Sequence, residues 1–259
     1  MKKSSVHSPL RLPDHPSQQF ELEMEEVDLP AKIAASAPEP TGLSSKQLSI
    51  QDALLKEGLM AVKLSATCRS LADLHLLLID NLGQNSLETR RRYVQSITKW
   101  FFPDGIDGLL PKVWRAYADE AIIIDLLRWS YLAQEPVMGA CVADALFPLA
   151  NGIAVPPAYF DKFLANYLNK PPPEKTRERL KINLKRLGFL ERARGKPDRL
   201  LPVIPQKTSF LILLHHIFAP RSMRAVELRT LFTNLFWKYL GYKSEDEVRT
   251  GTRSRSRRT

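Results

Sequence analysis

Cysteine, glycine and long apolar runs are scarce in this chain, and each scarcity excludes a class of protein. Two cysteines, Cys68 and Cys141, are too few for a disulfide framework or a four-thiolate zinc site. Only 11 glycines beside 19 prolines exclude a collagen-like or Gly-rich repeat. No run of 18 apolar residues is present to span a bilayer, and no apolar segment follows the first five residues. We therefore expect a cytoplasmic protein with no secretory signal and no membrane partner.

Motifs of enzyme chemistry are also missing. The chain has no G-x-x-x-x-G-K-[ST] phosphate loop, no G-x-S-x-G elbow and no H-E-x-x-H metal motif. His215 and His216 are adjacent, so on a helix their side chains diverge by about 100°. Their apolar neighbours favour two core histidines, and Cys141 lies among small apolar residues. We expect a protein that is not an enzyme and that holds no cofactor and no metal ion.

Positive charge is concentrated in two segments. The 259 residues carry 38 Lys and Arg against 28 Asp and Glu, a formal charge of +10. Residues 1–43 are acidic, with a net charge of −3, and residues 44–169 have a net charge of −1. Residues 170–199 have a net charge of +7, and residues 249–259 have a net charge of +5. Charge focused in this way suits a polyanionic partner.

Composition divides the chain into four segments: 1–43, 44–169, 170–248 and 249–259. The first is a Pro-rich acidic extension, which we expect to be disordered because it has no apolar periodicity. The second has the spacing of a helical bundle, and the stiff spacer Pro171–Pro173 separates it from the basic third segment. The fourth is an Arg/Ser tail, expected to lack order until it meets phosphate.

Cap residues and apolar spacing place the helices of the bundle. Ser49 and Ser86 are expected N-caps, and Ser70 with Asp73 predicts a capping box. The helices are expected over these residues: 71–81, 87–101, 109–118, 120–132, 136–149 and 157–168. The helix over 120–132 has few polar positions and should be the central core helix. No strand is expected between residues 49 and 168.

The basic segment begins with an amphipathic helix over residues 174–187. Leu180, Leu184 and Leu187 form its apolar stripe, and Gly188 ends it. Two short β-prone segments then surround the turn of residues 194–198, which predicts a hairpin.

A basic helix followed by a basic-tipped hairpin is typical of a recognition helix and its wing. Lys and Arg dominate and Asn and Gln are few, so we expect contacts to phosphates more than to bases. Arg90 and Arg91 are secondary candidates, because cations in the first turn of a helix are favoured by a bound anion. The candidate DNA-binding residues are Arg179, Lys181, Lys185, Arg186, Arg192, Arg194, Lys196, Arg90 and Arg91.

Scattered residues resemble a known family. They are Glu57-Gly58-Leu59-Met60, Asp80-Asn81-Leu82, Ser86 with Arg90-Arg91, Thr176-Arg177-Glu178-Arg179-Leu180, Leu187-Gly188-Phe189-Leu190 and Leu200-Leu201-Pro202-Val203. Over residues 57–218 this order is similar to the BrxA family, the small non-enzymatic component of BREX bacteriophage-exclusion systems. The resemblance implies an all-helical, NusB-like fold, binding of double-stranded DNA, and other defence-system proteins as partners. The acidic extension and the Arg/Ser tail depart from the compact members of that family.

We therefore predict a mainly helical, all-α protein: a NusB-like bundle followed by a winged-helix-like segment with a short β-hairpin. The predicted function is that of a non-catalytic accessory subunit of a BREX-type phage-defence system, which binds double-stranded DNA mainly through phosphates. Two alternatives stay open. One is a winged-helix transcription regulator with a specific operator, and the other is a protein-interaction scaffold that uses the basic segment. RNA also stays open as the ligand, since backbone contacts discriminate poorly between the two nucleic acids.

Overall fold

The computed structural model describes residues 50–191, 197–218 and 228–251. The chain divides between Leu43 and Ser44 into two compact units, and all the described residues belong to the second. These residues form twelve α-helices and three short strands, so the expected mainly helical class is confirmed. No helix among them has the length and the apolar character that a membrane crossing requires.

Seven α-helices of the described residues precede the triple proline. They are α1 (Leu55–Ser65), α2 (Leu71–Asn81), α3 (Leu87–Phe101), α4 (Leu109–Tyr117), α5 (Glu120–Gln134), α6 (Pro136–Ala140) and α7 (Pro157–Leu168). Helix α6 continues into a π-helical segment, Cys141–Leu146, so the helix expected over 136–149 ends earlier than its apolar pattern suggested. Pro148 lies just beyond this end and cannot supply a backbone N–H to a further turn.

Side-chain caps fix the starts of α2 and α3 as the sequence predicted. The Ser70 hydroxyl accepts a hydrogen bond from the Asp73 N–H (3.1 Å), and the Asp73 carboxylate accepts one from the Ser70 N–H (3.0 Å). At α3 the Ser86 hydroxyl accepts from the Thr89 N–H (3.1 Å). These bonds satisfy N–H groups that have no partner inside the helix. The capping box and the Ser86 cap are confirmed. Ser49 lies outside the described residues, and α1 begins only at Leu55 with no side-chain cap, so the helix start expected after Ser49 is wrong.

Where the structure describes the chain after the triple proline, it has five more helices and a hairpin. They are α8 (Glu174–Arg186), β2 (Leu190–Glu191), β3 (Asp198–Leu200), α9 (Lys207–Phe218), α10 (Leu228–Thr233), α11 (Phe236–Tyr239) and α12 (Glu245–Gly251). Helix α12 includes Arg249, where the Arg/Ser tail was expected to begin, and acidic residues in its first turn favour the helix.

The predicted hairpin is confirmed, and a third strand joins it. Strands β2 and β3 are antiparallel, with Leu190 opposite Leu200. Strand β1 (Ala154–Val155) pairs antiparallel with the other edge of β3, which gives the sheet order β1-β3-β2. The expectation of no strand between residues 49 and 168 is therefore wrong. Two residues are too few to show alternation, and the cue was Pro156, which favours an extended residue before it.

Helix α5 is the centre of the core, as predicted. It contacts α1, α3, α4, α6, α9 and α11, and residues such as Ile123, Leu126 and Tyr131 are fully buried. The same core includes Leu184 of α8 and Phe210 of α9. The position expected as a domain boundary, at residue 170, is thus a change of charge inside one compact unit.

A buried ion pair on α5 connects three helices. One carboxylate oxygen of Asp125 accepts from Arg128 Nη1 (2.9 Å), and the other accepts from the Gln206 N–H (2.8 Å) and the Ser209 hydroxyl (2.9 Å). Arg128 Nε donates to the Leu187 carbonyl (2.7 Å) at the end of α8. Burial lowers the pKa of Arg128, and the Asp125 charge opposes that shift. The pair thereby joins α5 to the end of α8 and to the start of α9.

A buried asparagine joins the other flank of α8 to the chain before α1. Asn183 Nδ2 donates to the Gln51 carbonyl (2.7 Å), and Asn183 Oδ1 accepts from the Ala53 N–H (2.9 Å). The Tyr131 hydroxyl donates to the same Gln51 carbonyl (2.9 Å), and burial raises the pKa of Tyr131, so it stays protonated. The segment 50–53 is therefore fixed against α8.

Replacing Asp125 by alanine tests the ion pair. Asp125→Ala leaves the Arg128 guanidinium buried without its counter-charge, so we expect the free energy of unfolding to fall by about 3–5 kcal/mol. Urea denaturation followed by circular dichroism measures this loss. The control is Asp107→Ala, which removes a solvent-exposed partner of Arg115 and should change stability by less than about 0.5 kcal/mol. Equal effects of the two variants would contradict a connecting role for the pair.

Candidate functional site

The orientation of α8 decides which of its cations reach solvent. Leu180 and Leu184, with Leu187 just after the helix, are fully buried, so the predicted apolar stripe is confirmed. The opposite side carries the exposed residues Glu174, Lys175, Ile182, Lys185 and Arg186, with the half-buried Glu178 among them, within about 120° of arc at 100° per residue. This exposed side of α8 is the first component of the candidate site.

Lys181 is not on that side. It is only 5% exposed, its Nζ lies 3.5 Å from the Asp198 carboxylate of β3, and it stands 5.8 Å from the ring centre of Phe160. A lysine buried in this way connects α8 to the sheet and does not reach a phosphate outside. The structure therefore corrects the prediction of Lys181 as a DNA contact, because the position of β3 was not visible from helical spacing.

Arg179 and Arg186 lie on the flank of α8 that faces the segment 50–53. Arg179 is half-buried and its Nη1 donates to the Ile50 carbonyl (3.3 Å). Arg186 is exposed and pairs with Asp52, with 3.0 Å between Nη1 and Oδ2. Both side chains keep nitrogen atoms at the surface, but the charge of Arg186 is partly neutralised by Asp52.

The two arginines predicted at the start of α3 differ in role. Arg90 is half-buried, and it donates from Nε to the Gln84 carbonyl (2.6 Å) and from Nη1 to the Ile79 carbonyl (3.3 Å). It therefore holds the turn between α2 and α3, which is a correction to its prediction as an anion contact. Arg91 is exposed and stays a candidate.

The hairpin contributes one candidate that sequence reasoning missed. Arg192, Arg194 and Lys196, the predicted wing residues, lie outside the described residues. Strand β3 exposes Arg199 and buries Asp198. Arg199 could have been found from strand alternation, because its neighbours Asp198 and Leu200 are buried and side chains alternate along a strand. Lys175 was missed because only residues beside the leucine stripe were considered.

A groove runs between α3 and the segment 50–53 with α8. Its volume is about 680 Å³, and it is lined by Gln51, Asp52, Leu54, Thr89, Arg92, Tyr93, Gln95, Ser96, Lys99, Trp100 and Arg179. Arg92 and Lys99 are exposed and seven residues apart on α3, so they share one face, and Arg179 lies across from them. Sequence reasoning missed this pair, and the i, i+7 spacing is the signal that could have found it.

The histidines and cysteines occupy other places. His215 and His216 are exposed, so the prediction of two core histidines is wrong. The buried side of α9 carries Phe210 and Leu213 instead. Partial burial beside Trp129 lowers the pKa of His216. Burial also raises the pKa of both thiols, Cys68 and Cys141. Within residues 50–191, 197–218 and 228–251, no group of three or more His, Cys, Asp or Glu side chains is placed to hold a metal ion.

Comparison with known proteins adds no relative. No family model, no curated protein and no solved structure matches this chain. The resemblance to the BrxA family therefore stays a prediction. The function has to be argued from the charges and geometry of α8, the sheet and the groove.

The contrast between Lys181 and Lys185 predicts two different phenotypes. Lys181→Met removes the cation 3.5 Å from the buried Asp198, so we expect the free energy of unfolding to fall by about 2 kcal/mol or more. Lys185→Met changes an exposed side chain and should alter stability by less than about 0.5 kcal/mol. Chemical denaturation of both variants checks this. Two equally stable variants would contradict the buried position of Lys181.

Proposed function

We propose that this protein binds a nucleic-acid duplex through its phosphates, with the exposed side of α8 and the β2–β3 hairpin as the contact surface. The observation that carries the proposal is the exposure of Lys175, Lys185 and Arg199. Within the part of the chain that the structure describes, no carboxylate lies within ion-pair distance of these three cations. Unneutralised surface cations attract a polyanion and release its counterions on binding.

The order of elements supports a winged-helix assignment for this region. From α6 onward the chain runs helix, strand, helix, helix, strand, strand, and β3 lies between β1 and β2. A winged helix-turn-helix has the same order and the same central third strand. In that class the third helix, here α8, enters the major groove, and the hairpin lies beside it as the wing.

The side chains of α8 favour phosphate contacts over base reading. Sequence reading in the major groove relies on bidentate contacts, from Arg or Lys to guanine and from Asn or Gln to adenine. Arg186, the exposed arginine of α8, pairs with Asp52. Asn183, the one such amide on α8, is fully buried, and both of its polar side-chain atoms form internal hydrogen bonds. Lys175 and Lys185 are point charges on flexible stems, which suit phosphate. We therefore favour a binder of low sequence preference over an operator-specific regulator.

We also propose, on the BrxA resemblance alone, that the protein is a non-catalytic accessory subunit of a BREX-type phage-defence assembly. The test is the chromosomal neighbourhood of its gene. A methyltransferase, a large ATPase and an alkaline-phosphatase-like protein encoded nearby would support the proposal. A neighbourhood without them would contradict the defence role and leave the duplex-binding proposal to its own test.

Charge reversal on α8 tests the duplex proposal. We expect Lys175→Glu with Lys185→Glu to weaken binding of a random 25-base-pair DNA at least about 10-fold and to reduce the salt slope by about two. Fluorescence anisotropy at several salt concentrations measures both. If about five phosphates are contacted, affinity of the unaltered protein should fall about 10²- to 10³-fold between 50 and 200 mM salt.

A matched control has the same change in net charge. Lys56 and Lys112 are exposed on α1 and α4, and Lys56→Glu with Lys112→Glu should reduce affinity less than about threefold. Equal losses in the two double variants, or a flat salt response, would contradict an interface on α8. Competition by a duplex RNA of the same sequence separates a DNA preference from general duplex binding.

A further inference from the structure

We infer that the groove between α3 and the segment 50–53 with α8 is a second binding site, and that its ligand is a nucleotide, a phosphate joined to an unstacked base. This goes beyond the proposed duplex interface, because Arg92 and Lys99 of α3 are its main cations and Tyr93 supplies a ring. A duplex keeps its bases stacked inside, whereas a free nucleotide or the end of a single strand presents both groups.

Three cations converge on the groove. Arg92 and Lys99 project from one face of α3, and Arg179 projects from α8 on the other wall. Arg92 Nη2 lies 3.5 Å from the Thr89 hydroxyl, so its guanidinium stays beside a second hydrogen-bonding group. A concave site lined by one sign of charge concentrates anions, and guanidinium groups bind phosphate in a bidentate manner.

The carboxylates near the groove do not cancel this charge. Asp52 is the carboxylate in its lining, and Arg186 pairs with it at 3.0 Å. Glu135 lies 3.5 Å from Lys99 Nζ, but it also accepts from Trp100 Nε1 at 2.8 Å. Lys99 is 61% exposed, so its ammonium can leave this long contact for a ligand. The groove therefore keeps a positive excess.

The walls of the groove are fixed before a ligand arrives. Arg179 is held by the Ile50 carbonyl, and the segment 50–53 is fixed by the buried Asn183. Ser96 donates to Gln51 Oε1 (2.6 Å), which joins α3 to the opposite wall. A preorganised site loses less conformational entropy on binding.

Size and lining fit a nucleotide better than an inorganic anion. The volume of about 680 Å³ is within the range of small-ligand clefts, about 300–1,000 Å³. Tyr93 is half-buried and lines the groove, so its ring is the aromatic group that a base would contact there. Gln95 adds a polar side chain for the sugar or the base edge.

Calorimetric titration of the full chain with AMP, adenosine, inorganic phosphate and 5′-phosphorylated (dT)₄ tests the inference. We expect AMP or the oligonucleotide to bind at least tenfold more tightly than adenosine or phosphate. Arg92→Gln with Lys99→Gln should weaken that binding at least tenfold. The control, Arg69→Gln with Lys112→Gln, removes two exposed cations outside the groove and should change it less than twofold. Tyr93→Leu should weaken AMP binding and leave phosphate binding unchanged.

The outcomes separate this site from the duplex interface. Tighter binding of AMP supports a free nucleotide as ligand, and tighter binding of the oligonucleotide supports a strand end. No binding of either, or equal losses in the groove variant and its control, overturns the inference. Duplex binding measured in parallel should be unchanged by Arg92→Gln with Lys99→Gln. An equal loss of duplex and AMP binding would make the groove part of the duplex path, which overturns the separate site and leaves duplex binding standing.

Discussion

The buried pair of Asp125 and Arg128 determines where α8 points, and the candidate surfaces depend on that direction. Arg128 binds the carbonyl of Leu187 at the end of α8, while Asp125 binds the start of α9 through Gln206 and Ser209. A charge pair in a low-dielectric interior needs every partner satisfied, so neither helix end can shift without exposing an unpaired charge. The rotation of α8 about its axis is therefore fixed, and the inward or outward direction of each lysine follows from it.

A local excess of charge in the sequence overstates the charge that a ligand meets. Lys181 and Lys185 are one helical turn apart and flank the same leucine stripe, yet one is buried beside Asp198 and the other is exposed. The difference is that Asp198 of β3 pairs with Lys181, whereas Lys185 lies at the exposed side of the helix. Arg186 is similarly engaged by Asp52. Of the cations on α8, some therefore fix neighbouring segments and others stay available.

Local rules predicted the helices well, because caps and apolar spacing act within one or two turns. The Ser70 capping box, the start of α3 at Ser86 and the central place of α5 are examples. The errors concern contacts between distant segments. Arg90 donates hydrogen bonds to carbonyls that precede α3, and Lys181 pairs with Asp198, seventeen residues further along the chain. Helical spacing reveals neither contact. The groove was not predicted: the spacing of Arg92 and Lys99 places them on one face of α3, but it does not reveal the opposite wall.

The neutralised cations of α8 separate the two anion-binding surfaces that we propose for this helix. Lys181 with Asp198 fixes the sheet on one flank, and Arg186 with Asp52 fixes the segment 50–53 on the other. Exposed lysines on the side between these flanks face outward, while Arg179 turns toward α3 and the groove. Each of these two ion pairs has little net charge, and together they fix the sheet and the segment 50–53 against α8. The two proposed ligands, a long duplex and a small nucleotide, would then contact different sides of a helix that is anchored on both flanks.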